Sequence, residues 1–365
     1  MTERQQSWYT LKSRRNSSNG VRKLMGVYGD YIHQNDGTHL DGGILDDKVW
    51  QDRWRKLIVL PSQRYNAPSG AVGRRFVRIL TEELSGIRAR KWNSERFIVF
   101  QMVVLQKSKD VKTSGAIRRR LTTRMDSWEA GKFEMLVQDT ERTALAQLAR
   151  VQGVETQEQR AKKFAKLVLQ GKLRSAVRWL TEREKGGVLL PDDVDEKTGE
   201  SVIDVLQSKH PDARVPDASE LEDYEVTPDF VDLDITKEVV EKVARRLSGS
   251  AGPGGSDAQS IHYGLLRFGQ ASQGLRKAVS KFTDWMANDQ PPWAANRALK
   301  AGRLVALEKC PGVQPVGIGE SWNRLFAKCV VLLAGAEAKD ACGVDQLCAG
   351  LEASIESGIH VMRLL

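Results

Sequence analysis

Residues 304–328 read LVALEKCPGVQPVGIGESWNRLFAK, and the fold turns on how this stretch is parsed. Arg303 to Leu307 suits a strand. Cys310-Pro311-Gly312-Val313 fits a type II turn, with Pro at the second position and Gly at the third, where φ must be positive. Val313 to Ile318 suits the returning strand, and Pro315, which has no N–H, must sit at an edge or bulge. The result is a β-hairpin with Lys309 near its tip. Ser321 then stands where it can cap a helix whose apolar side is Trp322, Leu325, Phe326 and Cys329. Arg324 and Lys328, four residues apart, share the other side.

Moving outward, the chain divides by composition. Residues 1–48 are polar, rich in Gly, Asn, Ser and Asp, and lack the apolar core of a secretory signal; they read as a flexible leader. Residues 49–188 carry mostly helical patterning and many cations. Leu145, Leu148 and Val151 form one apolar stripe there. Phe164, Val168, Leu173, Val177 and Leu180 form another, with Gly171 dividing it and Gly186-Gly187 closing it. Residues 189–234 are an acidic, Pro- and Asp-rich connector. Residues 235–365 open with an amphipathic helix on Ile235, Val239, Val243 and Leu247, with Asp234 placed to cap it. The longest apolar run, Phe97 to Leu105, is too short to cross a bilayer and contains Gln101.

The chain has 365 residues and a net charge of +9, but the charge is uneven. Asp192 to Glu241 holds 17 acidic and four basic residues, a balance of −13, so the remainder stands at +22. A basic surface of that size suits phosphate backbones, whose neutralisation releases counterions. The clusters GIRARKW (86–92) and RRRLTTRMDSW (118–128) set a Trp beside dense cations. That pattern fits single-stranded nucleic acid through stacking and phosphate pairing, and equally fits Trp residues acting as core anchors. Lys162, Lys163, Lys166, Lys172, Arg174 and Arg178 form a further basic face.

The four cysteines, all at or beyond Cys310, point to a reducing, intracellular compartment, nuclear or cytoplasmic. Their spacing lacks the close pairs of a zinc site, so no metal is assigned to them. SGSAGPGGSDAQS (248–260) is Gly-rich but lacks the Gly-Lys-Ser/Thr ending of a nucleotide P-loop, and GIGESW (317–322) lacks the third Gly of a dinucleotide fingerprint.

In order, GSAGPGGSDA, QPPWAANRALKAGRLVALEKCPGVQPVGIGE, RLFAK and CGVDQLCAGLEASIESGIH resemble the N-terminal part of reverse transcriptases of the non-LTR retrotransposon type. The resemblance covers about Leu247 to Leu365. The stretch from Phe164 through Lys209-His210-Pro211 resembles the helical region upstream in such proteins. It implies an α+β, predominantly α-helical protein: a helical N-terminal region, then an incomplete right-hand polymerase fingers unit with a β-hairpin.

The resemblance also implies roles. Lys309 matches a fingers lysine near the triphosphate of the incoming nucleotide, and Gln346 matches a glutamine of the next family segment. Gln314 stands where the family has Arg before Pro-Val. An uncharged amide there forfeits a charged contact worth roughly 1.5–3 kcal/mol. With Arg303, Arg324 and Lys328, these form the expected nucleotide and template surface. The implied partners are an RNA template, a DNA primer and a deoxynucleotide triphosphate.

The family's catalysis needs paired Asp carboxylates holding Mg²⁺ in the palm, downstream of these segments. Asp192-Asp193 and Asp234 precede the fingers, which is the wrong order for that role. The expectation is therefore a reverse-transcriptase fragment that is inactive as a nucleotidyltransferase by itself, with no catalytic or metal-binding residues of its own. The alternatives are a non-catalytic RNA- or DNA-binding protein and a helical protein-interaction scaffold.

Overall fold

The computed structural model describes residues 48–60, 63–149, 157–169, 192–195, 198–210, 232–309 and 312–342, with 171, 173, 176, 177 and 189. The leader, most of residues 170–191 and the end of the chain, Gln346 included, lie outside the described residues. So do Leu148 and Leu180 as side chains, Val151, Gly186 and Gly187.

Helices dominate, and one of them explains the packing. The apolar run containing Gln101 becomes α3 (Ser94–Leu105), capped by Asn93, whose side chain accepts from Arg96 N at 3.3 Å; α1 is Lys48–Ile58 and α2 is Ala71–Arg88. Every residue of α3 except Arg96 is buried. A helix that is apolar on all sides needs cover on all sides. It comes from α1, α2, α4 (Ser114–Glu129), α5 (Phe133–Ala149) and α11 (Trp293–Lys300). At its C-terminal end the buried Arg124 donates to the carbonyls of Gln106 (2.7 Å) and Val104 (3.4 Å) and to Asp139 (2.8 Å). Arg124 thus satisfies acceptors that a helix end leaves without intrahelical partners.

The remaining helices are α6 (Gln157–Leu169), α7 (Val202–Ser208), α8 (Lys237–Arg246), α9 (Ala258–Leu266), α10 (Gln270–Asn288) and α12 (Ser321–Cys342). α10 packs along α2 and also meets α8, α9 and α12. The 49–188 and 235–365 segments therefore share one apolar core. Phe97 of α3 meets Trp322 of α12 edge-on at 5.2 Å between centroids, and Phe282 of α10 lies 5.1 Å from Phe326. Buried polar pairs bridge the same divide. Ser94 Oγ accepts from Ala298 N at 3.0 Å, and Arg297 Nε is paired with the fully buried Glu95.

The one sheet among the described residues is the expected hairpin, β1 (Gly302–Glu308) and β2 (Val313–Gly319), antiparallel and in register from Gly302↔Gly319 to Glu308↔Val313. The fold class is α+β and predominantly helical. Gly312 has φ 104°, the positive value foreseen for it, and Lys309 N donates to its carbonyl at 2.8 Å; Cys310 and Pro311 lie outside the described residues. One face of the hairpin, through Leu304, Ala306 and Val313, packs on Val202, Val205 and Leu206 of α7 as a second small core.

Four local expectations need correction. Leu145 is 44% exposed, because α5 turns Leu136, Val137, Thr140 and Ala144 inward instead. The second stripe likewise faces outward at Val168, Leu173 and Val177, while Gly171, at φ 71°, follows α6 as a break. Thr236, not Asp234, caps α8, its hydroxyl accepting from Val239 N at 3.4 Å. Ser321 is the first residue of α12 rather than its cap; the carbonyl of Glu320 accepts from Arg324 N at 3.1 Å.

Candidate functional site

The hairpin is held at its base by the Gly-rich loop 248–257, and cations and one carboxylate do the holding. Arg303 Nε donates to Ala251 O at 2.9 Å. Arg324 reaches Ser248 O (3.4 Å), Ser250 O and Ser321 Oγ (2.6 Å). From the other side, Glu320 accepts from Gly254 N. Ser256 Oγ donates to Gln101 Oε1 at 3.0 Å, which also accepts from Trp322 Nε1 at 2.9 Å. Arg64 Nη1 lies 3.3 Å from Ser256 Oγ. The loop's backbone thus finds partners on side chains instead of in a ladder, as its buried part, Gly252 to Gly254, requires.

Two glycines make the approach possible. A Cβ on Gly252 would stand 2.7 Å from Glu320 Cα and 2.7 Å from Gly319 O. Gly255 has φ 77°, and a Cβ there would stand 2.8 Å from the Arg64 guanidinium carbon. The glycines of this loop thus serve close packing of loop on hairpin.

The electrostatics follow from enclosure. Burial pushes the Glu320 carboxyl up to about 7, against the opposing pull of Gly254 N–H, Arg64, Ser321 N–H and Arg324. Burial likewise lowers Arg64 to about 10, with Glu320 and Asp257 opposing. Arg64 as a whole residue is only half-buried, yet its Nε and Nη2 are enclosed, so desolvation of the guanidinium dominates. Arg303 is lowered for the same reason, with Glu320 opposing.

Of the six residues expected at the site, Gln346 lies outside the described residues, and the other five fall into two groups. Arg303 and Arg324 are tied to the loop. Lys309 and Gln314 are exposed at the far end of the hairpin, and Lys328 is exposed one helical turn beyond Arg324. Register places Arg303 and Gln314 on the same face, since Arg303 pairs with Ile318 and Leu307 with Gln314. Glu320, Arg64 and Gln101 were not foreseen. Gln101 left a trace as the one polar residue in the longest apolar run.

The Trp-cation clusters resolve as core. Trp128 Nε1 donates to Glu83 Oε1 at 2.8 Å, and Trp92 Nε1 to Glu83 O at 2.8 Å. Both rings, with Trp50 and Phe133, surround the guanidinium of Arg96, which stacks on Trp92 at 4.1 Å and pairs with both oxygens of Glu83 at 2.8 and 3.0 Å. These tryptophans serve an internal cation, and Trp128 is 3% exposed. Arg118 and Arg119 remain exposed, as do Lys162, Lys163 and Lys166 of α6.

Among the described residues, no group of three His, Cys, Asp or Glu stands where it could hold a metal ion, and no helix is long and apolar enough to cross a membrane. Cys329 is buried and free, its thiol pushed up to about 12 by burial. In comparisons with protein-family models, curated proteins and solved structures, none matches this chain.

Proposed function

We propose that this chain contributes the fingers part of an RNA-directed DNA polymerase of retroelement type, holding an RNA template, a DNA primer and an incoming deoxynucleotide against basic surfaces. The observation that carries the reading is spatial. The Gly-rich loop, the hairpin and the helix after it, which bear the resemblance in sequence order, meet as one assembly through Arg303, Arg324 and Glu320. That bracket fixes the hairpin's base and leaves Lys309 exposed beyond the end of β1, where its ammonium has no ion-pair partner among the described residues and can meet phosphate. The reading gives this chain no step through Mg²⁺; among the described residues no group of three His, Cys, Asp or Glu stands where it could hold the ion.

The test is binding to a primed RNA template by electrophoretic mobility over a salt series, with single-nucleotide extension on the same template. Affinity should fall steeply with salt, and Lys309→Ala should reduce the slope of log K against log salt by about one. Absence of binding at low salt refutes the proposal.

A further inference from the structure

A groove of about 270 Å³ opens at the base of the hairpin, on the face packed against α7 and opposite the face that carries Gln314. It is lined by Lys300, His210 and Arg303, whose guanidinium turns to Ala251 O on the other face, and by no acidic residue among those described. Lys300 is exposed and has no ion-pair or hydrogen-bond partner among the described residues. The floor is Pro315 and the bare backbone of Gly302, Gly317 and Gly319.

Glycine weakens a strand, so three in a hairpin need a cause. Packing does not supply one. A Cβ on Gly317 or Gly319 would have nothing within 4 Å, and one on Gly302 would make only ordinary contacts at 3.8 Å or more. Backbone conformation does not supply one either, since none of the three has a positive φ. Side chains at these positions would fill the groove and change little else in the protein.

We propose that this groove seats one unit of a single-stranded polynucleotide, its base lying over the glycine-proline floor and its phosphate at Lys300. Charge favours an anion here. The floor decides which one, because glycine backbone and a proline ring, with no side chain standing over Gly317 or Gly319, leave room for the face of a nucleobase. The proposal rests on the nucleic-acid reading above but places the contact on the other side of the hairpin from Gln314.

The test uses the full chain, a short fluorescein-labelled oligouridylate and fluorescence anisotropy. Gly317→Val should keep or raise the melting temperature, because valine suits a strand, while weakening binding roughly tenfold, about 1.4 kcal/mol, because its side chain occupies the space of the base. Lys300→Gln should lower the salt slope by about one. Together, wild-type affinity in Gly317→Val and an unchanged slope in Lys300→Gln overturn the groove; if Lys309→Ala still weakens binding, the hairpin-tip reading survives. Loss in the groove variants with none in Lys309→Ala leaves the groove standing and removes the tip. No binding by the wild type overturns both. An oligoglutamate peptide that displaces the RNA with the same dependence on Gly317 and Lys300 overturns the choice of occupant.

Discussion

Replacing Glu320 by glutamine should flatten one part of the dependence of stability on pH. In the folded chain the carboxyl titrates at about 7, against an ordinary value of 4.5, because burial opposes its ionisation. Between those values the folded protein keeps a proton that the unfolded chain releases. The group's contribution is therefore fully present below about pH 4.5 and is lost as pH rises toward and through 7. At about 1.4 kcal/mol per pH unit of separation, the whole excursion is worth about 3 kcal/mol, most of which falls between about pH 5 and about pH 8. Glutamine preserves an acceptor for Gly254 N–H but has no proton to lose. Urea unfolding of both proteins across that range tests the argument, since carboxylates common to both cancel in the difference. The wild type should lose about 2–3 kcal/mol relative to Glu320→Gln as pH rises from about 5 to about 8. Parallel profiles would refute the reasoning and mean that Glu320 is ionised throughout, held by Arg64 and Arg324.

Arg96→Ala should cost about 3–5 kcal/mol in denaturant unfolding, because it leaves the buried Glu83 without its cation and empties the aromatic enclosure; Arg96→Lys should recover only part, since an ammonium cannot reproduce the two-point contact. Gly252→Ala should destabilise by about 1–3 kcal/mol, read as a lowered melting temperature, because its methyl would press on the Glu320 backbone. Lys309→Ala should leave the melting temperature unchanged while reducing salt-sensitive RNA affinity, as expected of an exposed cation.

The hairpin was legible because its signals are local. A Pro-Gly pair between two short apolar runs fixes a turn, and the strands observed extend those foreseen by one residue at most at each end. Helix α3 was legible as an apolar run, but its covering elements were not, since α11 lies about two hundred residues downstream. The caps at Thr236 and Glu320 were missed for a related reason. Asp234 and Ser321 are strong cap formers by type, yet tertiary packing sets where each helix begins, and Ser321 turns its hydroxyl toward Ser250 O at 3.5 Å. Glu320 was the hardest to see. In GIGESW it looks like a surface acid, and only the arrival of a loop 66 residues upstream encloses it. The Trp-cation pairs show the opposite limit, because composition cannot tell a ring that stacks on a base from one that stacks on Arg96.

The pairing of Ser94 and Glu95 with α11 has a consequence for how the chain is made. About two hundred residues separate these partners, roughly ten seconds or more of synthesis at ordinary ribosomal speeds. Throughout that interval α3 has emerged with Phe97, Ile98 and Glu95 still lacking their final cover. The early helices can gather on α1, α2, α4 and α5, but the nascent chain carries an unfinished, sticky surface with an acid at its edge until Arg297 appears. The first half of the chain expressed by itself should therefore aggregate rather than behave as a separable domain, which size-exclusion chromatography of that half against the full chain would show.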